Sequence, residues 1–580
     1  MDFTDVYPSS SIPVFSPGSN FIANAVSSRI IIRTSHTLQI VKTFLIPVIP
    51  PSIPSSSSSS PTSSLVSKNS QLSRRPGIGW SSSSSSSPAL SSPRPKGPPE
   101  VTHLSFSPFG DKILAFCARP GVAFVFDLKD PGMSEEDGVE AMLEGGVEKL
   151  TRVEWIKSGN GKGLLAWSDF GLRLTIWNLD DPESRSFIQN FQFIAQGHAW
   201  SADNRLFYLA ERYNSRDSVG VYDTLNDWKL VFRVPTQTAS LQGISIAPRG
   251  GYIAVWDHAL QYKLQLFLPP LKTALQTLPP PPLPAQVENI GLNYQPSWPD
   301  LGMGVRCVAW RPGGEWLAVG GWDGRIRILQ KSDWGVIWVG PPVRIAPAGS
   351  VVWHEPIDWY NQTGGRGIVQ YHLMNTPATI SFIKPDPKQH PPKMGVSQLE
   401  WNQDGSLLMS RLENSPDCLI LYPFPTADPD FDPSSLESSS DLPFSVLLQT
   451  RPILHATFHP TDSKKLALCT GSNGIYIWNG DWITDGAEGE GVAECIGIPS
   501  SPFSATSLKW APDGETLIVM DNSRGSQGEF TLVFEAKEDA GGMGQDNVEN
   551  SPVEEMSLIT EEEEGNEAIS EVSLKMHDLL

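Results

Sequence analysis

The sequence predicts an all-β chain in which about nine copies of one sheet-forming unit close into a ring. Three observations carry this. A short apolar strand ending in an aromatic residue, a turn with Pro, Asp or Gly, and a second apolar strand recur along the chain. The strands alternate with period two, and no stretch of the body keeps a helical period. Glycine (49), proline (51) and tryptophan (19) are abundant in the 580 residues. Gly and Pro punctuate turns, and Trp suits packed niches with one polar partner.

The copies run in order. VFSPGSNFIANAV begins at Val14, LSFSPFGDKILAF at Leu104 and VEWIKSGNGKGLLAW at Val153. HAWSADNRLFYLA begins at His198, ISIAPRGGYIAVW at Ile244 and VAWRPGGEWLAVG at Val308. LEWNQDGSLLMS begins at Leu399, ATFHPTDSKKLALC at Ala456 and LKWAPDGETLIVM at Leu508, which makes nine. Most are followed by a third strand closed by an aromatic and Asp or Asn, such as Phe124–Asp127, Leu174–Asn178, Val219–Asp223 and Ile475–Asn479. Phe106, Trp155 and Trp200 are spaced by 49 and 45 residues, about the length of one WD-type blade.

A four-stranded blade cannot bury both faces alone, so each must pack against its neighbours around an axis. The reading is therefore a WD40-type β-propeller, one large ring in preference to two smaller ones. The last readable strand, Phe530 to Phe534, holds a third-strand position, and the opening Phe3 to Tyr7 is placed to supply the missing outer strand. Such a closure removes an exposed sheet edge.

Residues 1–46 hold the first blade and the closing strand, 47–99 a Ser/Pro-rich insert, and 100–537 the other blades. Segments 271–300, 334–393 and 423–441 read as loops that closure does not need. The insert cannot bury enough apolar surface to fold. Within it, Ser60, Ser87 and Ser92 each precede proline and are candidate phosphosites.

Of the net charge of −21, the tail 538–580 carries thirteen acidic residues and one lysine, or −12, leaving −9 elsewhere. An acidic body and tail argue against nucleic-acid binding, which needs cations to displace phosphate counterions. The tail's end, EAISEVSLKMHDLL, sets Ile569, Val572, Met576 and Leu579 at helical spacing. It reads as a solubilising tail, or alternatively as a helix formed on a partner. The five cysteines are scattered with no CxxC pair, as expected of reduced thiols in cytosol or nucleus. The start lacks a basic leader, and the apolar run Phe44 to Ile53 is too short and proline-broken to cross a membrane.

No chemistry emerges. Gly159 to Gly163 is glycine-rich, but a strand follows, so it lacks the helix start that would hold phosphate. His354-Glu355 lacks a second histidine one helical turn on. His455 and His459 flank a strand end, where residues four apart diverge. Gly471 to Gly474 lacks the spacing of a nucleophile elbow. The expectation is a non-enzyme with no catalytic residues, metal or cofactor.

One stretch is more specific. HAWSADNRLFYLAERYNSRDSVGVYDTLNDWKLVFRVPTQTASLQGISIAPRGGYIAVWDHALQYKLQLF, from His198 to Phe267, resembles the spindle-pole and centrosomal WD-repeat family often called Wdr-eight. The matching elements are Leu209 to Arg212, Asp227-Trp228, Leu241 to Ile244, Ala254 to Asp257 and Tyr262-Lys263. The opening Met1 to Val6, Leu317 to Gly320, Asp323-Gly324, Arg325 to Leu329 and the repeat order also resemble it, as a fungal-type member. The Ser/Pro insert and acidic tail depart from the family pattern.

The resemblance implies a scaffold in the cytoplasm or cytoskeleton, at the microtubule-organising centre (spindle pole body or centrosome). There it would bind a coiled-coil anchoring protein, of the synovial-sarcoma-X breakpoint-interacting type or its fungal counterpart. With that partner it would tether microtubule minus ends and support spindle organisation, in some lineages with a minus-end-directed kinesin. Neither nucleic acid nor membrane is an expected partner. Glu211, Arg212, Trp228, Trp256, Asp257, Tyr262 and Lys263 become candidate partner-binding residues. Exchanging charge by Glu211→Lys with Arg212→Glu is expected to weaken capture without unfolding the ring, an internal salt bridge being the alternative role. Rival functions are a translation-initiation propeller, which should carry basic patches, and a ubiquitin-ligase substrate receptor, which would need a docking box outside the ring.

Overall fold

Alternation with period two gives each strand two apolar faces, and the ring assigns them to different neighbours. In the computed structural model, Leu114 faces the third blade while Ile113 and Ala115 face the first. Leu164 and Ala166 turn toward the second blade, Leu165 and Trp167 toward the fourth. Second strands are therefore buried along most of their length, and Lys112–Cys117 and Trp316–Gly321 along all of it. The described residues run from Asp2 to Phe534, with breaks at 49–97, 130–137, 146–148, 269–303, 426–443 and 481–492 and shorter ones elsewhere.

Nine blades follow in chain order. Blade 1 comprises Val14–Phe15, Phe21–Val26, Arg29–Thr34 and Ile40–Leu45. Blade 2 comprises His103–Phe106, Lys112–Cys117, Val122–Asp127 and Val139–Glu144, and blade 3 Leu150–Trp155, Gly163–Ser168, Arg173–Asn178 and Arg185–Gln189. Blade 4 is His198–Trp200, Leu206–Tyr213, Arg216–Asp223 and Lys229–Pro235. Blade 5 has three described strands, Gly243–Ile246, Ile253–Trp256 and Leu264–Phe267. Blade 6 is Val305–Trp310, Trp316–Gly321, Ile326–Gln330 and Val336–Gly340. Blade 7 is Val396–Trp401, Leu407–Leu412, Ser415–Pro423 and Ser445–Leu448. Blade 8 is His455–Phe458, Lys465–Cys469, Gly474–Asn479 and Ala493–Gly497. Blade 9 contributes Ser507–Trp510, Thr516–Asp521 and Gly528–Phe534. Every repeat read from sequence is the first hairpin of one blade.

Nine clusters of buried apolar side chains each fill the space between two consecutive blades, the ninth joining blade 9 to blade 1. Among the described residues the blades thus form one closed ring. Two of the tryptophans that end first strands, Trp155 and Trp401, reach across these interfaces. Trp155 Nε1 donates to the Ser105 carbonyl at 3.1 Å, and Trp401 Nε1 to that of Ala309 at 3.2 Å. Burying the indole while its one donor is satisfied gives apolar contact without an unpaired polar group.

In blade 7 the turn after the first strand is as tight as its Asp404-Gly405 sequence requires. Gly405 has φ +72°, and a Cβ there would stand 2.6 Å from Arg311 Nε of blade 6. That nitrogen instead bonds the Gly405 carbonyl at 3.1 Å. Only glycine meets both the left-handed backbone and the close approach.

Ring closure uses the opening residues. Asp2–Phe3 and Tyr7–Ser9 pair antiparallel with Gly528–Phe534, with Phe3 opposite Val533 and Tyr7 opposite Phe530. The same segment holds blade 1, because Asn24 Nδ2 donates to the Pro8 carbonyl and Ser10 N to that of Ala25.

Segment 334–393 departs from the loop expected there. Val336–Gly340 is the outer strand of blade 6. Val351–His354 pairs in parallel with the outer strand of blade 7, and His372–Met374 pairs with it in turn. Ile368–Gln370 adds to the outer strand of blade 8. Trp353, Trp359 and Tyr371 pack into the cluster between blades 7 and 8. The insert straps two blades together at the rim. Its strands find partners far away in sequence, so its local pattern did not announce them. His354 ends the parallel strand, and the buried Glu355 accepts from Thr450 N at 2.7 Å and Tyr476 Oη at 2.5 Å.

Segments 47–99, 271–300 and 423–441 lie wholly or largely outside the described residues, and Ser60, Ser87 and Ser92 lie outside them too. Contacts divide the chain into Met1–Glu535 and Ala536–Leu580, and the second unit is also outside them. All five cysteines are free thiols, and burial pushes Cys117 and Cys469 up to about 12. No helix among the described residues is long and apolar enough to cross a membrane.

Candidate functional site, the face at blades 4 and 5

First strands line the ring's interior. His103 of blade 2 shares one cavity with Glu400, His455 and Lys509 of blades 7, 8 and 9. Another cavity is lined by Arg152, Glu154 and His198, where His198 Nε2 lies 3.2 Å from a Glu154 oxygen. Burial, then the nearby Arg411, lowers the His455 pKa, and burial is also the main cause for His103. As pH falls below about 6.5, the unfolded chain takes up these protons before the folded ring does, so stability is lost. We expect a lower melting temperature at pH 5.5 than at pH 7.5, and a smaller difference in His455→Gln. An equal difference in that variant would remove His455 from the account. Among the described residues no group of three or more His, Cys, Asp or Glu could hold a metal.

The family-like stretch builds something different. The second strand of blade 4 has 8 residues, against at most 6 in the second strand of any other blade. Its pairing with the third strand continues to Tyr213 opposite Arg216. Asn214 and Ser215 turn the chain with φ of 50° and 63°, the left-handed pair that a two-residue hairpin loop needs. The hairpin therefore runs beyond the ends of its counterparts and puts Tyr213 and Arg216 at its tip.

Two carboxylates anchor it from inside. Glu211 accepts from Arg233 Nε at 2.5 Å and from the Tyr222 hydroxyl, and its side chain is 1% exposed. Asp217, also 1% exposed, accepts from Arg212 Nε, Gln192 Nε2, Thr238 Oγ1 and Leu241 N. Burial pushes the Asp217 carboxyl up, but the Arg212 guanidinium and these other donors hold it below the usual range. Asp257 of blade 5 is buried and accepts from Ala239 N and Ser240 N at 2.7 and 2.8 Å. The chain linking blades 4 and 5 is thus pinned by a carboxylate from each.

The cations lie outward. The Arg212 and Arg233 side chains are 46% and 38% exposed, and Arg216 is exposed. Arg233 stacks 5.6 Å over the ring of Tyr213, itself 52% exposed. Lys263 Nζ of blade 5 donates to the Gln237 carbonyl, and Leu260 is exposed. With its anions turned inward, the surface offers cations and an aromatic ring, whereas the whole chain carries −21.

Residues 301–329, which span the first three strands of blade 6, match the family model described as "WD domain, G-beta repeat". That match sits in a ring of nine such blades. The chain is a WD-repeat protein.

This WD-repeat protein is 26% identical over 464 residues to mouse "WD repeat-containing protein WRAP73", covering 76% of this chain and 87% of that one. It is 20% identical over 387 residues to an uncharacterized WD repeat-containing protein of Schizosaccharomyces pombe, covering 63% and 68%. Among solved structures it is similar to Sqt1 from Chaetomium thermophilum, at 13% identity and TM-score 0.42, covering 75% of this chain and 95% of that one. A Cps50 (Swd1) propeller domain is matched at 15% identity and TM-score 0.35, covering 66% and 100%.

In the WD-repeat protein the candidate partner-binding residues separate. Arg212 and Lys263 reach the surface of the blade 4 and 5 face. Glu211, Trp256 and Asp257 are buried, so the expectation that they touch a partner directly is corrected: they hold the blades. Trp228 follows the other end of the third strand, half-buried and packed edge-on against Trp200 and Phe207. Tyr262 lies outside the described residues. The exposed Tyr213, Arg216 and Arg233 were not among the candidates: the polar turn Tyr-Asn-Ser-Arg inside an unusually long alternating run signalled the first two, and nothing local signalled Arg233 on the outer strand.

Proposed function

We propose that this WD-repeat protein is a non-enzymatic adaptor at the microtubule-organising centre, the spindle pole body or centrosome. It binds a coiled-coil anchoring protein, of the synovial-sarcoma-X breakpoint-interacting type or its fungal counterpart, to tether microtubule minus ends. A minus-end-directed kinesin joins this assembly in some lineages. The observation that carries the reading is the His198 to Phe267 stretch. It resembles the spindle-pole and centrosomal family, and it builds the long hairpin of blade 4 with its exposed arginines. The 26% identity to mouse WRAP73 over 87% of that protein supports it. A rigid closed ring suits such work, because docking to a preformed surface costs little ordering entropy.

A fluorescently tagged copy imaged through mitosis tests this. A focus at each spindle pole is expected, and diffuse or ribosomal signal with no polar focus would overturn the reading.

A further inference from the structure

We propose that the hairpin tip of blade 4 is a docking site for an acidic protein segment. Carboxylates of the segment would engage Arg216 and Arg233, and one of its apolar side chains would lie on Tyr213. The inference rests on the adaptor reading and names the chemistry of the partner at this face.

Three features select that occupant. First, the local anion is hidden. Glu211, 1% exposed, pairs with Arg233 from below, while the Arg233 side chain stays 38% exposed. It bonds inward through Nε, and a guanidinium has four further N–H donors in a fork that matches a carboxylate. Second, this fork is already held in place by the buried carboxylate. A ligand therefore does not meet the full ordering cost of a long side chain. Arg216 makes no ion pair among the described residues and is exposed opposite Tyr213 in the strand register. Third, these cations share one face of the hairpin with an aromatic ring, Arg233 stacking 5.6 Å over Tyr213, itself 52% exposed. An exposed ring beside cations favours a peptide with mixed acidic and apolar side chains.

A nucleic acid fits less well. Its affinity comes from many phosphates contacted at once, and two arginines do not offset a chain of net charge −21, which repels a long polyanion overall.

The test uses the full chain and three fluorescent probes, read by anisotropy at 50 and 200 mM salt. They are a 15-residue peptide alternating Glu with Leu or Phe, its Gln-for-Glu counterpart, and a 15-nucleotide single strand. We expect the acidic peptide to bind, more weakly at the higher salt. Arg216→Glu and Tyr213→Ala, both at exposed positions, should each weaken it about tenfold with unchanged melting temperature. Arg119→Glu, on another blade, should leave it unchanged. Equal binding of the neutral peptide, tighter binding of the oligonucleotide, or unaltered affinity in both tip variants would overturn the proposal. Since no mitotic localisation enters this measurement, its failure is distinct from failure of the adaptor reading.

Discussion

Glu211→Lys is expected to destabilise the ring by about 3–5 kcal/mol, the cost of breaking a buried ion pair and leaving an uncompensated charge inside. The side chain is fully enclosed, accepting from Arg233 Nε at 2.5 Å and from the Tyr222 hydroxyl. A lysine would set a second cation against Arg233 and strip Tyr222 of its acceptor. There is no spare room, because even a Cβ on Gly220 would lie 2.5 Å from Glu211 Oε1. Glu211→Gln keeps an acceptor for Tyr222 and should lose less. Urea unfolding of the full chain measures both. A Glu211→Lys curve within about 1 kcal/mol of the parent, the range of an exposed pair, would contradict the assignment. Combining it with Arg212→Glu does not help, since Arg212 pairs with Asp217 and a glutamate there would face that buried carboxylate. The double exchange is therefore expected to unfold blade 4, and surface substitutions at Arg216 and Tyr213 are the ones that leave the ring intact.

Deleting residues 1–9 should have an effect as large, through closure. Phe3 and Val6 pack against the cluster between blades 8 and 9, and Tyr7 against that between blades 9 and 1. Tyr7 stacks 5.7 Å from Phe530, with the Arg33 guanidinium 4.5 Å from its ring. Full burial of one such side chain contributes about 1.5–3 kcal/mol, so three partly buried ones amount to several. The backbone loses the bond from Thr4 N to the Leu532 carbonyl at 3.0 Å, and Leu532 N loses Thr4 Oγ1. What remains is an unpaired third strand at the edge of blade 9, a template for other chains. We expect a lower melting temperature and concentration-dependent association by light scattering. A truncated chain that melts with the parent and stays monomeric would show that these strands do not close the ring.

Most of the ring was legible because its signals are local. In most blades the aromatic ending the first strand, a turn with Pro, Asp or Gly and the period-two second strand lie within some 15 residues of one another, as in LEWNQDGSLLMS from Leu399. Closure was legible too, since a blade ending on its third strand and an unassigned opening strand have one economical solution. The rim strap was not. Val351–His354 and His372–Met374 are short, proline-flanked strands whose partners lie across blades 7 and 8, and nothing in their own sequence sets that register. The site was half legible. The stretch around Glu211 and Arg212 was found, but which charge lies inside depends on Arg233, twenty-two residues on and on another strand. A charged pair in sequence does not say which member the sheet encloses, and that decides whether a residue holds the fold or meets a partner.

The central claim, that nine blades share a single axis, is tested most directly by cryo-electron microscopy of the full chain, counting blades in views down the ring. One closed circle of nine is the predicted image. Two smaller circles, an open arc, or a circle of seven or eight would contradict it.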